Sequence, residues 1–274
     1  MFPVPQSGNP EARRASESAP HRFTVDRRGR QRHRERMNFL LHRHLAARDL
    51  GSAAAGAAAM LPDLWRMADR RVRPSRAPDR PAAPPPRLAE VLAGIDHHVA
   101  ADRWFHAAPV FVEGERRLAA ALRAASLGAP RLALFAHVLW EMCLDGALVR
   151  RTGLAPLLDG LRAGLEAIDG APTEAAASIH HFQQRAPSPA GALADRAAFE
   201  SRLRRIRDEL TRGPWIAGYQ DGAGLVLRLS GVRARFGMPP FTPDQHTRLA
   251  ALLDALAASA DDALADLLHT APKH

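Results

Sequence analysis

Cysteine, lysine, aromatic and β-branched residues are all scarce in this chain of 274 residues. The single cysteine, Cys143, excludes a disulfide framework and any cysteine-rich zinc module. Aromatic residues make up 5% of the chain, and this composition favours helices over a large β-sheet. No uncharged apolar run reaches the roughly eighteen residues of a membrane span, and no signal peptide is visible. We therefore expect a helical, cytoplasmic protein with no membrane partner.

The excess of positive charge is concentrated at the N-terminus. Residues 1–36 hold nine arginines against four carboxylates and show no hydrophobic period, so we predict a disordered basic leader. One interpretation is a start codon assigned too early, and the other is a basic arm that binds nucleic acid. The first is favoured, because the arginine-rich end at 24–36 has no aromatic residues for base stacking.

Residues 37–274 are predicted to form one all-α domain. A loop rich in proline and arginine at 68–87 interrupts the helices, because proline does not fit inside a helix. Beyond it, apolar residues recur with helical spacing, and prolines fall near the starts of most of the segments. The predicted helical segments are 87–108, 110–126, 130–151, 154–168, 173–185, 190–212, 214–236 and 243–269.

Thirteen histidines are many for this length, and several fall in clusters with carboxylates. Residues four apart lie on one face of a helix, about 6 Å apart along its axis, so such a pair can hold one metal ion. The outer members of an i, i+4, i+8 set are about 12 Å apart, so one ion cannot take all three. The first two clusters are His42 and His44 with Asp63, and His98 with Asp102 and His106.

The third cluster consists of His137, Glu141 and Asp145, again at i, i+4 and i+8. Apolar residues surround these positions in LALFAHVLWEMCLDGALV, so we predict a central, buried helix. Burying the three polar side chains costs several kcal/mol unless they are paired or bind a metal. A buried His–Glu hydrogen bond that only fixes helix packing is the structural alternative.

Together the clusters predict a divalent metal site. We expect His98, Asp102, His137 and Glu141 to converge, with Asp63 and with His42 or His44 as further ligands. In this scheme His106 and Asp145 bind a second ion or a substrate phosphate, or hydrogen-bond a ligand. Mixed histidine and carboxylate donors suit Mn or Mg first, with Fe or Zn as alternatives.

Other polar residues are expected to lie outside the site. Asp96 and His97 point away from the face of His98 and Asp102, and we predict that both are exposed. The pair His180 and His181 is assigned to a solvated helix end. Cys143 has no activating base nearby in the sequence and is interpreted as a small core residue.

At these clusters the sequence resembles the acyl carrier protein phosphodiesterases, a helical family distantly related to the HD-type metal phosphohydrolases. MNFLLHRHLA is similar to that family's opening, and GAAAMLPDLW to its next motif, which ends in the aspartate matched by Asp63. GIDHHVAADRWFHAAP matches a third motif that retains His98 and Asp102, whereas His106 replaces an aspartate. A late segment, WIAGYQDGAGLVLRLSGVRARF, also resembles the family.

The resemblance implies an HD-like helical bundle and a metal-dependent hydrolysis that releases phosphopantetheine from a serine of acyl carrier protein. Asp102 and His98 are then the expected catalytic residues. The chain is a divergent member by this comparison, because Glu141 and Met142 align with the family's Asp-His pair. His137 and Asp145 are the candidate substitutes.

Two other functions stay open at the level of sequence. One keeps the metal and hydrolyses a nucleotide or another small phosphate ester. The other is a non-catalytic helical protein that binds a metal or a partner. The chain has no P-loop, Rossmann glycine fingerprint or G-x-S-x-G turn, so these nucleotide-binding and serine-hydrolase classes have no support.

Overall fold

A computed structural model describes residues 39–69, 80–127, 131–182, 189–235 and 237–273. The predicted leader at 1–36 lies outside these residues, as do residues 70–79, which are half of the loop at 68–87. The described residues form helices and no strand, which confirms the all-α prediction. The helices are α1 (Phe39–Leu50), α2 (Ala53–Ala58), α3 (Leu61–Ala68), α4 (Pro86–Phe105), α5 (Pro109–Ala124), α6 (Leu132–Thr152), α7 (Leu154–Ala167), α8 (Ala171–Ala177), α9 (Pro189–Thr211), α10 (Pro214–Ala217), α11 (Gly222–Arg235) and α12 (Pro243–Thr270). They belong to one compact unit, and a π-helical turn at Ser178–Phe182 follows α8.

Helix α6 is the centre of the fold, as its apolar sequence predicts. Every residue from Phe135 to Val149 is buried, and α6 packs against α1, α5, α7, α11 and α12. Its length and composition would also allow it to cross a membrane, but 83% of its most apolar window is buried inside the protein. Such burial is typical of the core helix of a soluble protein. Gly153 ends α6 with a φ of +84°, a left-handed conformation that favours glycine.

Two predicted helices are shorter than their sequence periodicity indicates. The segment 214–236 divides into α10 and α11, because a turn after Ala217 buries Tyr219, and Asp221 then caps α11. The Asp221 carboxylate accepts a hydrogen bond of 2.7 Å from the Gly224 N–H, as a helix N-cap does. The segment 173–185 is α-helical only to Ala177 and continues as the π-helical turn.

Helix α2 consists of small residues, and this allows α1, α4 and α7 to pack closely around it. At its contact with α4, a Cβ atom added to Gly94 would lie 2.2 Å from the Ala55 carbonyl oxygen and 2.8 Å from the Ala58 Cβ atom. The backbone of α2 therefore lies directly against α4. This contact fixes the part of α4 that carries His98.

We expect the Gly94→Ala substitution to lower the free energy of unfolding by about 2–3 kcal/mol, because the helices must separate to admit the methyl group. Gly231→Ala is the matched control, since an added Cβ on this α11 residue has nothing within 4 Å. There alanine should stabilise the helix by up to about 1 kcal/mol. Urea unfolding of both variants measures the difference, and equal stabilities would contradict the close contact.

Candidate metal centre

The first group of converging donors, the first triad, consists of His42 from α1 and His98 and Asp102 from α4. Each has at least one potential ligand atom within 4.8 Å of those of the others, and all three residues are buried. The imidazole rings of His42 and His98 have centroids 4.0 Å apart. Two donors on one ion are up to about 4 Å apart at metal–ligand distances of about 2 Å, so small side-chain movements would complete such a site.

A backbone carbonyl sets the tautomer of His98. Its Nδ1 lies 2.8 Å from the Ala59 carbonyl oxygen, which can only accept a hydrogen bond, so Nδ1 carries the proton. In the neutral imidazole the lone pair is then on Nε2. Metal-binding histidines are commonly oriented by such a hydrogen bond on the other ring nitrogen. The carbonyl group at the end of α2 thus fixes His98 in the tautomer that can bind a metal through Nε2.

The second triad consists of His106, which follows α4, and His137 and Glu141 from α6, and its ligand atoms also lie within 4.8 Å of one another. The Glu141 Oε1 atom is 2.9 Å from His106 Nε2 and 3.2 Å from His137 Nε2. The two histidine rings are stacked, with centroids 4.9 Å apart. On its other side, His137 Nδ1 contacts Glu115 Oε2 at 3.2 Å. Both Nε2 atoms therefore point at one carboxylate oxygen.

His106 connects the two triads. Its Nδ1 atom is 3.0 Å from Asp102 Oδ1 and 2.9 Å from the Asp102 carbonyl oxygen, while its Nε2 atom faces Glu141. Both ring nitrogens of His106 therefore face oxygen atoms of the centre. The His106 side chain is 19% exposed, against 5% for His137 and none for Glu141, so solvent reaches the centre beside His106.

The two α6 residues of the second triad stabilise each other's charged forms. Burial of Glu141 acts to raise its pKa, but His137 and His106 outweigh burial and lower that pKa to about 2. Burial likewise acts to lower the pKa of His137, but Glu141 and Glu115 outweigh it and raise that pKa. Without a cation, the second triad is therefore a charged hydrogen-bond network in the core.

Asp145 lies one turn beyond Glu141 and holds the start of α1. Its carboxylate oxygens accept hydrogen bonds of 3.2 Å and 3.0 Å from the Leu40 and Leu41 backbone N–H groups. These N–H groups belong to the first turn of α1, where no intrahelical acceptor exists. Burial raises the pKa of Asp145 well above its usual value, as do Glu141 and Asp63, while the two N–H donors act in the opposite direction. Asp145 thus positions α1, which carries His42.

The structure does not bring every predicted ligand into the triads. His44 is two residues from His42 and therefore lies on another face of α1. Burial and the nearby Arg48, Arg43 and Arg151 lower the pKa of His44. It lies in a cationic environment rather than with the other ligands. Asp63 is buried and acts electrostatically on Asp145, but it belongs to neither triad.

Two histidines predicted to be solvated are buried instead, so those predictions were wrong. His97 is 3% exposed, and its Nε2 lies 2.9 Å from Asp49 Oδ2. Helix α4 packs against α1, α2, α3 and α8, so more than one of its faces is covered. His180 is also 3% exposed and lies in the π-helical turn, 5.9 Å from the Trp65 ring. Nothing in the periodicity of 173–185 predicts this packing.

Several other expectations can be compared directly with the structure. Asp96 is exposed, as predicted, and forms a two-pronged ion pair with Arg80. Cys143 is a core residue, as predicted, and burial raises the pKa of its thiol to about 12.

Glu115 was not predicted as a site residue. Its helix α5 shows only ordinary amphipathic spacing, so packing of α5 on α6 was the missing information.

The burial of His180 predicts a loss of stability in mild acid. Burial and the nearby Arg80 lower its pKa to about 4, against an ordinary value of about 6.5. Between these values the unfolded chain binds more protons, so this group destabilises the fold as pH falls from about 6.5 to about 4. Between pH 7.5 and pH 5, we expect the free energy of unfolding of His180→Gln to fall by about 1–2 kcal/mol less than that of the wild type.

Urea unfolding at the two pH values measures this difference. The remaining histidines titrate in both proteins, so their contributions largely cancel in the comparison. Equal pH dependence in the two proteins would show that His180 is protonated as easily in the fold as in water.

Comparisons of the chain with protein-family models, with curated proteins and with solved structures found no match.

Proposed function

We propose that the protein is a divalent-metal-dependent phosphodiester hydrolase with an HD-like centre, working in the cytoplasm. The observation that carries the proposal is the convergence of four histidines and two carboxylates from three segments of the chain into two adjoining triads. The substrate proposed from the sequence resemblance is holo-acyl carrier protein. Water would add to phosphorus, and the bond between phosphorus and the serine oxygen would break. The serine oxygen would take up a proton, and phosphopantetheine would leave carrying the phosphate.

The residues present fit a divalent cation. Both triads combine imidazole nitrogens with a carboxylate oxygen, and five of the six residues are buried. His98 and His137 each have their Nδ1 atom on a protein oxygen, a carbonyl and a carboxylate respectively. Nε2 is therefore the nitrogen through which each would bind a cation.

The donor set bears on the identity of the metal. Magnesium prefers oxygen donors and retains several waters, whereas imidazole suits Zn and Fe. Four histidines among the six residues therefore favour Fe or Zn over Mg and Mn. This ranking changes the order expected from the sequence, where Mn and Mg came first.

The chain's own residues have separable tasks in the proposed reaction. Asp102 supplies negative charge at the first triad, and His42 and His98 complete its donors. When bound, a divalent cation makes water a stronger nucleophile and neutralises charge on a phosphoryl oxygen. His106 lies at the solvent side of the centre, where an incoming phosphate would approach. The buried remainder of the centre keeps bulk water away from the donors.

The experiment is an activity assay on metal-stripped protein supplied separately with Mn²⁺, Mg²⁺, Zn²⁺ and Fe²⁺. The substrates are holo-acyl carrier protein and an aryl phosphodiester. We expect hydrolysis that depends on added metal and is abolished by a chelator. The Asp96→Asn variant, which changes an exposed carboxylate on the same helix, should retain full activity.

The two substrates separate the alternatives. Release of phosphopantetheine supports the carrier-protein reaction, whereas hydrolysis of the aryl ester alone retains the chemistry and points to a nucleotide or another small phosphate ester. No turnover with any ion, together with no bound metal, would leave a helical partner-binding protein.

A further inference from the structure

The two triads differ in the contacts that their histidines already make, and this difference bears on how many ions the protein holds. We infer that the chain binds two divalent cations, the first in the first triad and the second, more weakly, in the second triad. The inference rests on the cation-binding part of the proposed function and makes no use of hydrolysis.

One ion cannot serve both triads. His98 and His106 are eight residues apart on one helix and its C-terminal end, and therefore about 12 Å apart along the axis. Metal–nitrogen bonds are about 2 Å long, so these two histidines cannot converge on one ion without unwinding the end of α4. The His106 ring instead stacks on His137 and contacts Glu141. The second triad is consequently a separate set of donors.

The second triad has the geometry of a site in which hydrogen bonds replace the ion. His106 Nε2 and His137 Nε2 lie 2.9 Å and 3.2 Å from the same Glu141 oxygen, Oε1. Two nitrogens thus already lie against one carboxylate oxygen. Glu115 holds the opposite side of His137, at 3.2 Å from Nδ1, and so fixes the direction of its ring. Little rearrangement would let all three donors share a cation.

The order of binding follows from the contacts that a cation would have to replace in each triad. In the first triad the Ala59 carbonyl already holds His98 in the tautomer that a metal requires. In the second triad a cation must displace the hydrogen bond between His106 and Glu141 and the 3.2 Å ion-pair contact between His137 and Glu141. Repulsion from the ion already bound nearby weakens the second step further. The first triad therefore fills first.

Titration of the metal-stripped full-length protein with Co²⁺ tests the inference. Isothermal titration calorimetry gives the number of ions and the affinity of each step, and d–d absorption reports the coordination of Co²⁺ itself. We expect two equivalents in two steps. His98→Ala should remove the tighter step, and His137→Ala should remove the weaker step while leaving the tighter one.

Controls separate loss of a ligand from loss of the fold and from adventitious binding. His98→Gln and His137→Gln retain a hydrogen-bonding side chain, and circular dichroism melts show whether each variant is folded. His269→Ala removes an exposed histidine from the end of α12 and should not change the number of ions. Ions bound by other surface histidines then appear equally in all proteins.

The possible outcomes are distinct. Two equivalents that the two triads lose separately support the inference. A single equivalent abolished by both His98 and His137 variants would mean one shared ion and would overturn it. If the folded variants of His98 and of His137 all still bind two equivalents, the ions lie elsewhere. That result would also overturn the inference. In each case hydrolysis is measured separately, so failure of the second site does not imply failure of the proposed reaction.

Discussion

Replacing Asp102 by asparagine is expected to lower metal-dependent hydrolysis more than about 100-fold. Asp102 is the carboxylate of the first triad, and it also contacts His106, so it serves both groups of donors. Loss of a residue that only supports a ligand already costs 10–100-fold in metal affinity or activity, and loss of a ligand costs more. Rates with saturating Mn²⁺ or Zn²⁺, and the bound metal by elemental analysis, measure the effect.

Asparagine keeps the size of the side chain, so the fold should survive this substitution. The matched control is Asp96→Asn on the same helix, where an exposed carboxylate pairs only with Arg80 among the described contacts. Full metal binding and activity in the Asp102 variant would remove this residue from the centre. A loss of both in the Asp96 variant would show that the assay reports helix stability instead.

The second large effect is expected from Asp145→Ala, as a loss of about 3 kcal/mol in the free energy of unfolding. Alanine leaves the buried Leu40 and Leu41 N–H groups without their carboxylate acceptor, and each such group costs about 1–3 kcal/mol. For a domain of this size, the loss corresponds to a fall in Tm of about 6–12 °C. Urea unfolding and a thermal melt monitored by circular dichroism give both values.

Asp145→Asn retains one acceptor oxygen and should lose about half as much stability. The control is Asp261→Ala, which removes a half-exposed partner of Arg150 and should cost less than about 1 kcal/mol. If Asp145→Ala is as stable as this control, the carboxylate does not hold α1. Because His42 follows only two residues after Leu40, the alanine variant should also lose the first step of metal binding.

Much of the centre follows from local spacing on individual helices. The i, i+4 rule places His98 with Asp102 and His137 with Glu141, and the structure has one pair in the first triad and the other in the second triad. The apolar surroundings of Glu141 predict its burial, which is complete. The apolar residues on every face of α6 identify it as the central helix.

The remaining residues depend on how helices pack, which periodicity does not specify. The sequence offers His42 and His44 as alternative ligands beside His98 and Asp102, and only the packing of α1 on α4 and α6 selects His42. Asp145 reads as a candidate ligand from its spacing, yet the start of α1 lies against it and uses both of its oxygens. Glu115 enters the site from α5 without any distinguishing pattern in the sequence.

X-ray absorption spectroscopy of Zn²⁺- or Mn²⁺-loaded protein tests the central claim most directly. With one equivalent of metal, the account predicts nitrogen or oxygen ligands at about 2.0–2.2 Å and the scattering signature of at least two imidazoles. His98→Gln should lose an imidazole from this spectrum, whereas His269→Ala should leave it unchanged. A protein that retains no metal, or a spectrum with oxygen ligands alone, would contradict the account.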